Sequence, residues 1–167
     1  MPFVIIMLSA IIHELGHIIA IRNLGYRIRR TDILPMGALI VCPEGIPHRD
    51  EFKIAIFGPL FSVAAAFFAF GLFLIFNSTE TLFAVIINLV FGFFNMLPVK
   101  KLDGGKAFFS FVADKRDEIF AERISRSVSI VATMFFVVFA FSCVSVSGFN
   151  FGAVLLCITL VFQLLER

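Results

Sequence analysis

The chain has 167 residues, of which 60% are hydrophobic and only 16% are charged, and its mean hydropathy is +1.01. Soluble domains carry about 25% charged and 45–50% apolar residues, so this composition excludes an ordinary globular core and indicates an integral membrane protein in contact with the lipid bilayer. The net charge is only +2 and no basic run is present, which argues against a nucleic-acid partner.

Five apolar segments are predicted to cross the bilayer as helices, over residues 2–21, 54–76, 82–99, 127–146 and 149–165. The last two come from one uncharged stretch of 39 residues. As a single helix this stretch would be about 58 Å long, nearly twice the roughly 30 Å thickness of the hydrocarbon layer. It must therefore turn back, and the polar segment Ser145–Asn150 is the predicted turn.

The distribution of basic residues predicts the orientation of these spans. All 14 Lys and Arg lie in residues 22–53, in residues 100–126 or at residue 167, whereas the connections 77–81 and 145–150 have none. The positive-inside rule then places the two long connections and the C-terminus in the cytosol and the N-terminus outside. Five spans satisfy this alternation, which predicts a multi-pass protein of the cell membrane.

Two of the cytosolic segments have a pattern of their own. Residues 26–41 begin with alternating apolar and charged side chains, which predicts a short β-hairpin at the membrane surface. Residues 106–127 combine Phe and Ile with charges at helical spacing, which predicts an interfacial helix. The predicted fold class is therefore an all-α integral membrane protein with a small hairpin, in which residues 1–167 form a single membrane-embedded domain.

The first predicted span contains the sequence HELGH at residues 13–17. His13 and His17 are four residues apart, so a helix places both imidazoles on one face, as two ligands of a tetrahedral zinc require. Glu14 is rotated by about 100° from His13 and can take a proton from a water that zinc acidifies. A chance match or a helix contact is the alternative, but it must explain three polar residues that are costly within an apolar span.

A catalytic zinc usually has three protein ligands, so a third ligand is expected from elsewhere in the sequence. Spans two, four and five contain no Asp, Glu or His, and His48 lies in a charged connection where solvation is the simpler interpretation. The best candidate is Asp103 in the segment LPVKKLDGG, because spans one and three run in the same direction and place it at a depth similar to that of the histidines. An ordinary Asp-Gly-Gly turn at a helix exit is the alternative.

Two asparagines interrupt the third span. Asn95 could contact a substrate backbone or stabilise the oxyanion of a tetrahedral intermediate, although an interhelical hydrogen bond is equally open for it. For Asn88 the interhelical hydrogen bond is the better interpretation. The dipeptide Gly58-Pro59 is interpreted as a close-packing or kink element and not as part of the catalytic machinery.

The segments HELGH, FGPLFSVAAAF and NMLPVKKLDGG resemble those of the site-2 protease family of intramembrane zinc metalloproteases. The likeness is greatest to the branch that contains a sporulation protease, which processes a membrane-tethered sigma-factor precursor, and neither a PDZ domain nor a CBS pair is recognisable. The resemblance implies one zinc ion (Zn2+) held by His13, His17 and Asp103, with Glu14 as general base and Asn95 in contact with substrate. It also implies cleavage in or beside a transmembrane segment of another protein, and allows for a membrane regulatory partner.

The predicted function is therefore an intramembrane zinc metalloendopeptidase with its active site near the cytosolic face. A membrane zinc-binding or zinc-transport protein is the alternative, because it would use the same three ligands without needing Glu14 as a base. A substrate helix must unwind before its carbonyls can be attacked, and a strand edge in residues 26–41 could hold it by β-addition. Proline substitutions at residues 26–28 that leave cleavage intact would argue against β-addition.

Overall fold

The computed structural model describes residues 1–27, 30–34, 37–41 and 45–147. The elements in chain order are α1 (Pro2–Asn23), β1 (Arg30–Leu34), β2 (Gly37–Val41), α2 (His48–Phe76), α3 (Thr79–Asn95), α4 (Asp103–Ala113) and α5 (Glu118–Ser147). The chain forms two compact units, Met1–Met96 and the residues from Leu97 onward. The predicted span 149–165 lies outside the described residues.

The sequence at both ends of α1 explains its bounds. Pro2 occupies the first helical position, where no backbone N–H is needed for an intrahelical bond. Gly25 has a φ of 82°, a left-handed conformation that glycine adopts at little cost. The N–H of Tyr26 then donates to the carbonyl of Ile21 at 3.1 Å. The helix covers the predicted span 2–21 and carries the HELGH sequence in its second half.

The strands β1 and β2 pair in antiparallel register, with Arg30 opposite Val41 and Leu34 opposite Gly37. They lie within the segment whose alternation predicts a strand pair, and β2 contacts α1. The position of this pair at a membrane surface stays a prediction.

Capping explains how α2 is separated from α3. The first turn of α2 carries Asp50 and Glu51, whose charges suit a helix N-terminus. The helix ends at Phe76, and the residue that follows, Asn77, has a left-handed φ of 46°. Ser78 then caps α3, because its Oγ accepts a hydrogen bond from the N–H of Glu80 at 3.2 Å. The predicted span 54–76 is therefore helical throughout.

Helix α3 is shorter than the predicted span 82–99, since it has 17 residues and ends at Asn95. The physical reason is Pro98, which lacks an N–H and restricts the residue before it to extended conformations. Seventeen residues are at the lower limit for crossing a bilayer, about 17–25 residues.

In the first unit α2 packs against both α1 and α3, and α1 also contacts α3. The buried residues of α1 and α2 are mostly small or polar. They include Ser9, His13, Gly16, His17, Ala20, Ala55, Gly58, Ser62, Ala66 and Ala69. Large apolar side chains point outward instead, and Phe67 and Phe68 are 72% and 71% exposed. This arrangement is typical of helices in lipid, where small residues allow close approach. Within the described ranges, α1 and α2 have the length and composition needed to cross a membrane.

In the second unit α4 packs against α5. The prediction of one interfacial helix over residues 106–127 is wrong, because α4 ends at Ala113 and α5 begins at Glu118. The connection is the charged run of residues 114–117, and Asp117 Oδ2 accepts a hydrogen bond from the N–H of Phe120 at 3.1 Å. Asp117 thus caps a new helix, which continues through the predicted span 127–146.

Candidate metal centre

The two histidines of HELGH lie on the buried face of α1, as their spacing predicts. His13 and His17 are 5% and 8% exposed. Their ring centroids are 5.1 Å apart, and the ring planes make an angle of 78°. Glu14 is less buried than either ring. The helix therefore presents two imidazoles side by side, with a carboxylate next to them that is rotated away from the shared face.

A backbone carbonyl of α2 determines the tautomer of His17. The Nδ1 atom of this ring lies 2.8 Å from the carbonyl oxygen of Ile54. A carbonyl oxygen can only accept, so Nδ1 must carry the proton and donate it. Nε2 then carries the lone pair, which is the usual arrangement of a ligating histidine.

The ring of His13 is held by a side chain of α2. His13 Nδ1 lies 2.9 Å from Ser62 Oγ, and Ser62 is fully buried with 0% exposure. The ring of Phe91 on α3 flanks His13, with the centroids 6.1 Å apart. All three helices of the first unit therefore contribute to the surroundings of His13.

Two glycines allow the backbone of the neighbouring helices to come this close. A Cβ at Gly58 would lie 2.5 Å from Cε1 and 2.8 Å from Cδ2 of His17, and closer still to Nε2. The close-packing role predicted for Gly58 is confirmed, and the group packed against it is a ring of the metal site. A Cβ at Gly92 of α3 would lie 2.9 Å from Val63 Cγ2 and 3.6 Å from Ser62 Cβ.

Asp103 is the first residue of α4, so the alternative of a simple turn at a helix exit is wrong. The carboxylate is buried, at 7% exposure, and Lys106 Nζ lies 3.6 Å from its Oδ1. A helix N-terminus favours a negatively charged side chain. Gly105 is needed for packing, because a Cβ at this position would collide with the carbonyl of Val99.

His13, His17 and Asp103 each offer one ligand atom, and these three atoms all lie within 4.8 Å of one another. Two imidazole nitrogens and one carboxylate oxygen form a donor set that suits a single zinc ion and leaves a fourth position for water. The buried location is also typical of ligands, because carboxylates are seldom buried unless they are paired or bind a metal.

The remaining polar candidates lie elsewhere on these helices. Asn88 is 4% exposed, and its Nδ2 donates to Ser9 Oγ on α1 at 2.9 Å, which confirms the predicted interhelical hydrogen bond. Asn95 Nδ2 donates to the carbonyl of Phe91 in its own helix at 3.0 Å, so its contact with substrate stays a prediction. His48 is the first residue of α2, and its Nδ1 lies 3.0 Å from Glu51 Oε2.

Sequence reasoning missed Ser62 and the carbonyl of Ile54. Together with Gly58 these residues are spaced four apart, so they form one stripe along α2 that faces the two histidines. The spacing was visible in the sequence, but small and polar residues occur on several faces of the apolar helices. Which face meets α1 is a property of the packing.

Residues 1–81 and 78–140 match Peptidase family M50. Zinc metalloprotease MJ0392 of Methanocaldococcus jannaschii is 27% identical over 146 residues, which cover 80% of this chain and 42% of that protein. Stage IV sporulation protein FB of Bacillus subtilis is 37% identical over 109 residues, covering 62% of this chain and 38% of that protein.

Among solved structures, the site-2 protease from Methanocaldococcus jannaschii superposes with a TM-score of 0.73 at 23% sequence identity, covering 97% of this chain and 74% of that one. The two molecules share a fold. The chain spans about two fifths of the length of the curated relatives it matches.

Proposed function

Because the chain belongs to Peptidase family M50, we propose that it is an intramembrane zinc metalloprotease. It would hydrolyse a peptide bond in or near a transmembrane segment of a membrane-tethered protein. The observation that supports this most directly is the buried donor set, since the ligand atoms of His13, His17 and Asp103 lie within 4.8 Å of one another. Glu14 follows His13 on the same helix and is the proposed general base.

The roles of the residues follow from their surroundings. His13 and His17 would hold zinc through Nε2, since the Nδ1 atom of each ring is engaged by α2, and Asp103 would hold it through a carboxylate oxygen. Zinc, when bound, supplies a Lewis acid and lowers the pKa of water towards 7. Glu14 accepts a proton from the attacking water and delivers it to the leaving amine nitrogen.

Asn95 is proposed to contact the substrate backbone. Its Nδ2 donates to the carbonyl of Phe91, which leaves a second amide hydrogen and the carboxamide oxygen for other partners. The side chain is partly exposed at the end of α3. An extended peptide offers both a donor and an acceptor, so one carboxamide can bind both groups.

The proposal includes a multi-pass topology in which one membrane-embedded domain crosses the bilayer five times. The exclusive placement of basic residues in alternate connections supports it, and it puts the active site near the cytosolic face. The similarity to a sporulation protein supports a membrane-tethered transcription-factor or sigma-factor precursor as the substrate class, with a membrane protein as regulatory partner.

The test compares the wild type with Glu14→Gln, both purified and reconstituted with a single-span substrate. We expect the variant to retain about one zinc per chain and to lose cleavage by at least roughly 100- to 10,000-fold, the range that general acid–base catalysis contributes. Zinc is measured by mass spectrometry of the metal, and the cleavage site by mass spectrometry of the product. The product is expected to be cut at the cytosolic end of the substrate helix.

Glu80→Gln is the matched control, because Glu80 is an exposed carboxylate at the start of α3. It should cleave at the rate of the wild type. Normal cleavage by Glu14→Gln would contradict the proposed role of this carboxylate. Zinc transport that survives in Glu14→Gln, together with an inactive wild type, would favour the zinc-transport alternative.

A further inference from the structure

We infer that Ser62 is a positioning residue of the metal site, whose hydroxyl accepts the Nδ1 proton of His13 and so directs Nε2 of that ring towards the metal. The inference rests on the zinc site proposed above and adds to it a residue from a second helix. In this role Ser62 is not a ligand itself and acts through His13.

The distance and the burial of the pair support this role. Ser62 Oγ lies 2.9 Å from His13 Nδ1, and Ser62 is 0% exposed while His13 is 5% exposed. No solvent reaches Ser62 to compete for the bond. The terminal torsion of a histidine side chain has a broad energy profile, so a directional bond at Nδ1 is needed to select one ring orientation.

The direction of the bond follows from the metal. A neutral imidazole carries one N–H, and ligation through Nε2 leaves that proton on Nδ1. A serine hydroxyl can either donate or accept, so it accepts here. Removal of the hydroxyl takes an acceptor away from a buried N–H, which is costly in an apolar interior.

The two histidines differ in how they depend on side chains. The Nδ1 of His17 donates to a backbone carbonyl, that of Ile54, which no substitution of a side chain removes. The Nδ1 of His13 is bonded instead to a side-chain hydroxyl, that of Ser62. His13 is thus the ligand whose orientation can be changed by one substitution outside the ligand set.

A serine at a tight helix contact can also have a purely structural role in packing. Ser9 is an example of this alternative. Ser9 lies one turn before His13 on α1, is 1% exposed and accepts a hydrogen bond from Asn88 Nδ2 at 2.9 Å. It is a buried serine in the same unit, hydrogen-bonded across a helix interface, without a bond to a ligand. Ser9→Ala is therefore the matched control for Ser62→Ala.

The experiment uses the full chain purified in detergent, as wild type, Ser62→Ala, Ser62→Thr and Ser9→Ala. Zinc affinity is measured by competition with a chelator, ligand geometry by the visible spectrum after Co2+ substitution, and stability by thermal unfolding without metal. We expect Ser62→Ala to weaken zinc binding about 10- to 100-fold, as loss of such a partner does elsewhere, and to shift the cobalt bands. Ser62→Thr keeps the hydroxyl and should restore both values.

Ser9→Ala should lower the unfolding temperature and leave zinc affinity within about twofold of the wild type. An unchanged affinity and cobalt spectrum in Ser62→Ala would overturn the inference, and so would an equal loss of affinity in Ser9→Ala. His13→Ala separates this inference from the proposed function. If that variant binds zinc as tightly as the wild type, the proposed metal site itself is wrong.

Discussion

Replacing Gly58 by alanine tests whether the ring of His17 lies in close contact with the backbone of α2. A Cβ at position 58 would lie 2.5 Å from Cε1 and 2.8 Å from Cδ2 of the ring. Carbon atoms in contact prefer about 3.5–4.0 Å, so the ring or the helix must move by about 1 Å. The ring is the easier group to move, because α2 also packs against α3.

A movement of this size is large compared with the tolerance of the metal site. Zinc–nitrogen bonds are about 2.0–2.1 Å long and vary by roughly 0.2 Å, so His17 would leave the ligand set. We expect zinc affinity to fall by more than the roughly 10- to 100-fold that loss of an outer partner costs. Overpacking should also destabilise the fold by about 1–3 kcal/mol, of which the better helix propensity of alanine offsets roughly 0.5–1 kcal/mol.

Gly71→Ala in the same helix is the control, because a Cβ at Gly71 would meet nothing within 4 Å. It should leave zinc affinity unchanged and raise the free energy of unfolding by about 0.5–1 kcal/mol. Affinity is measured by chelator competition and stability by thermal unfolding of the metal-free protein. Wild-type affinity in Gly58→Ala would refute the reasoning, since it would show that the ring of His17 does not lie against α2.

Two further predictions concern Tyr26 and the asparagines of α3. Tyr26 donates to Asp50 Oδ2 at 2.9 Å, and this hydrogen bond, with desolvation and the carboxylate charge adding to it, raises the pKa of the phenol. The chain has one Tyr and no Trp, so an absorbance titration reports the ionisation of Tyr26 alone. Asp50→Asn should lower the midpoint of this titration. An unchanged midpoint would contradict the contact between Tyr26 and Asp50. Hydrogen bonds from Lys53 and Tyr26 lower the pKa of Asp50 in the folded protein. The stability that these bonds contribute is therefore fully present above the pKa of Asp50 in the unfolded chain, and it is lost as the pH falls through the lower pKa of the folded state. Asn88→Ala should reduce the free energy of unfolding by about 0.6–1.7 kcal/mol, as for other interhelical bonds in membranes, and should retain cleavage. Asn95→Ala should slow cleavage without this loss of stability. The reverse pattern would exchange the roles of the two asparagines.

Several features of this protein follow from local rules and were predictable from the sequence. The spacing of His13 and His17 places both rings on one face of any helix, because the helical repeat is nearly four residues. Two imidazoles at this spacing predict a metal site. The position of Glu14 follows from the same helical repeat, because it is the residue next to His13. Asp103 was identified because few other carboxylates or histidines were available near the spans. The apolar composition likewise indicated a membrane protein before any contact was known.

Local rules were insufficient where capping and helix breaks compete with composition. The uncharged stretch that continues to Val99 predicted a longer third span, but α3 ends at Asn95, before Pro98. The mixture of Phe, Ile and charges in residues 106–127 suggested one helix, but Asp117 caps a new helix there. In both places a few backbone preferences outweighed the pattern of hydrophobicity.

The tertiary structure alone decided which residues support the histidines. Ile54, Gly58 and Ser62 form one stripe of α2, and only the packing of α2 on α1 brings that stripe to His13 and His17. In a soluble protein an amphipathic pattern would mark the buried face of a helix. Helices in lipid are apolar on every side, so their contacts depend on the fit of small residues between neighbours, and the sequence of one helix does not specify which neighbour it meets.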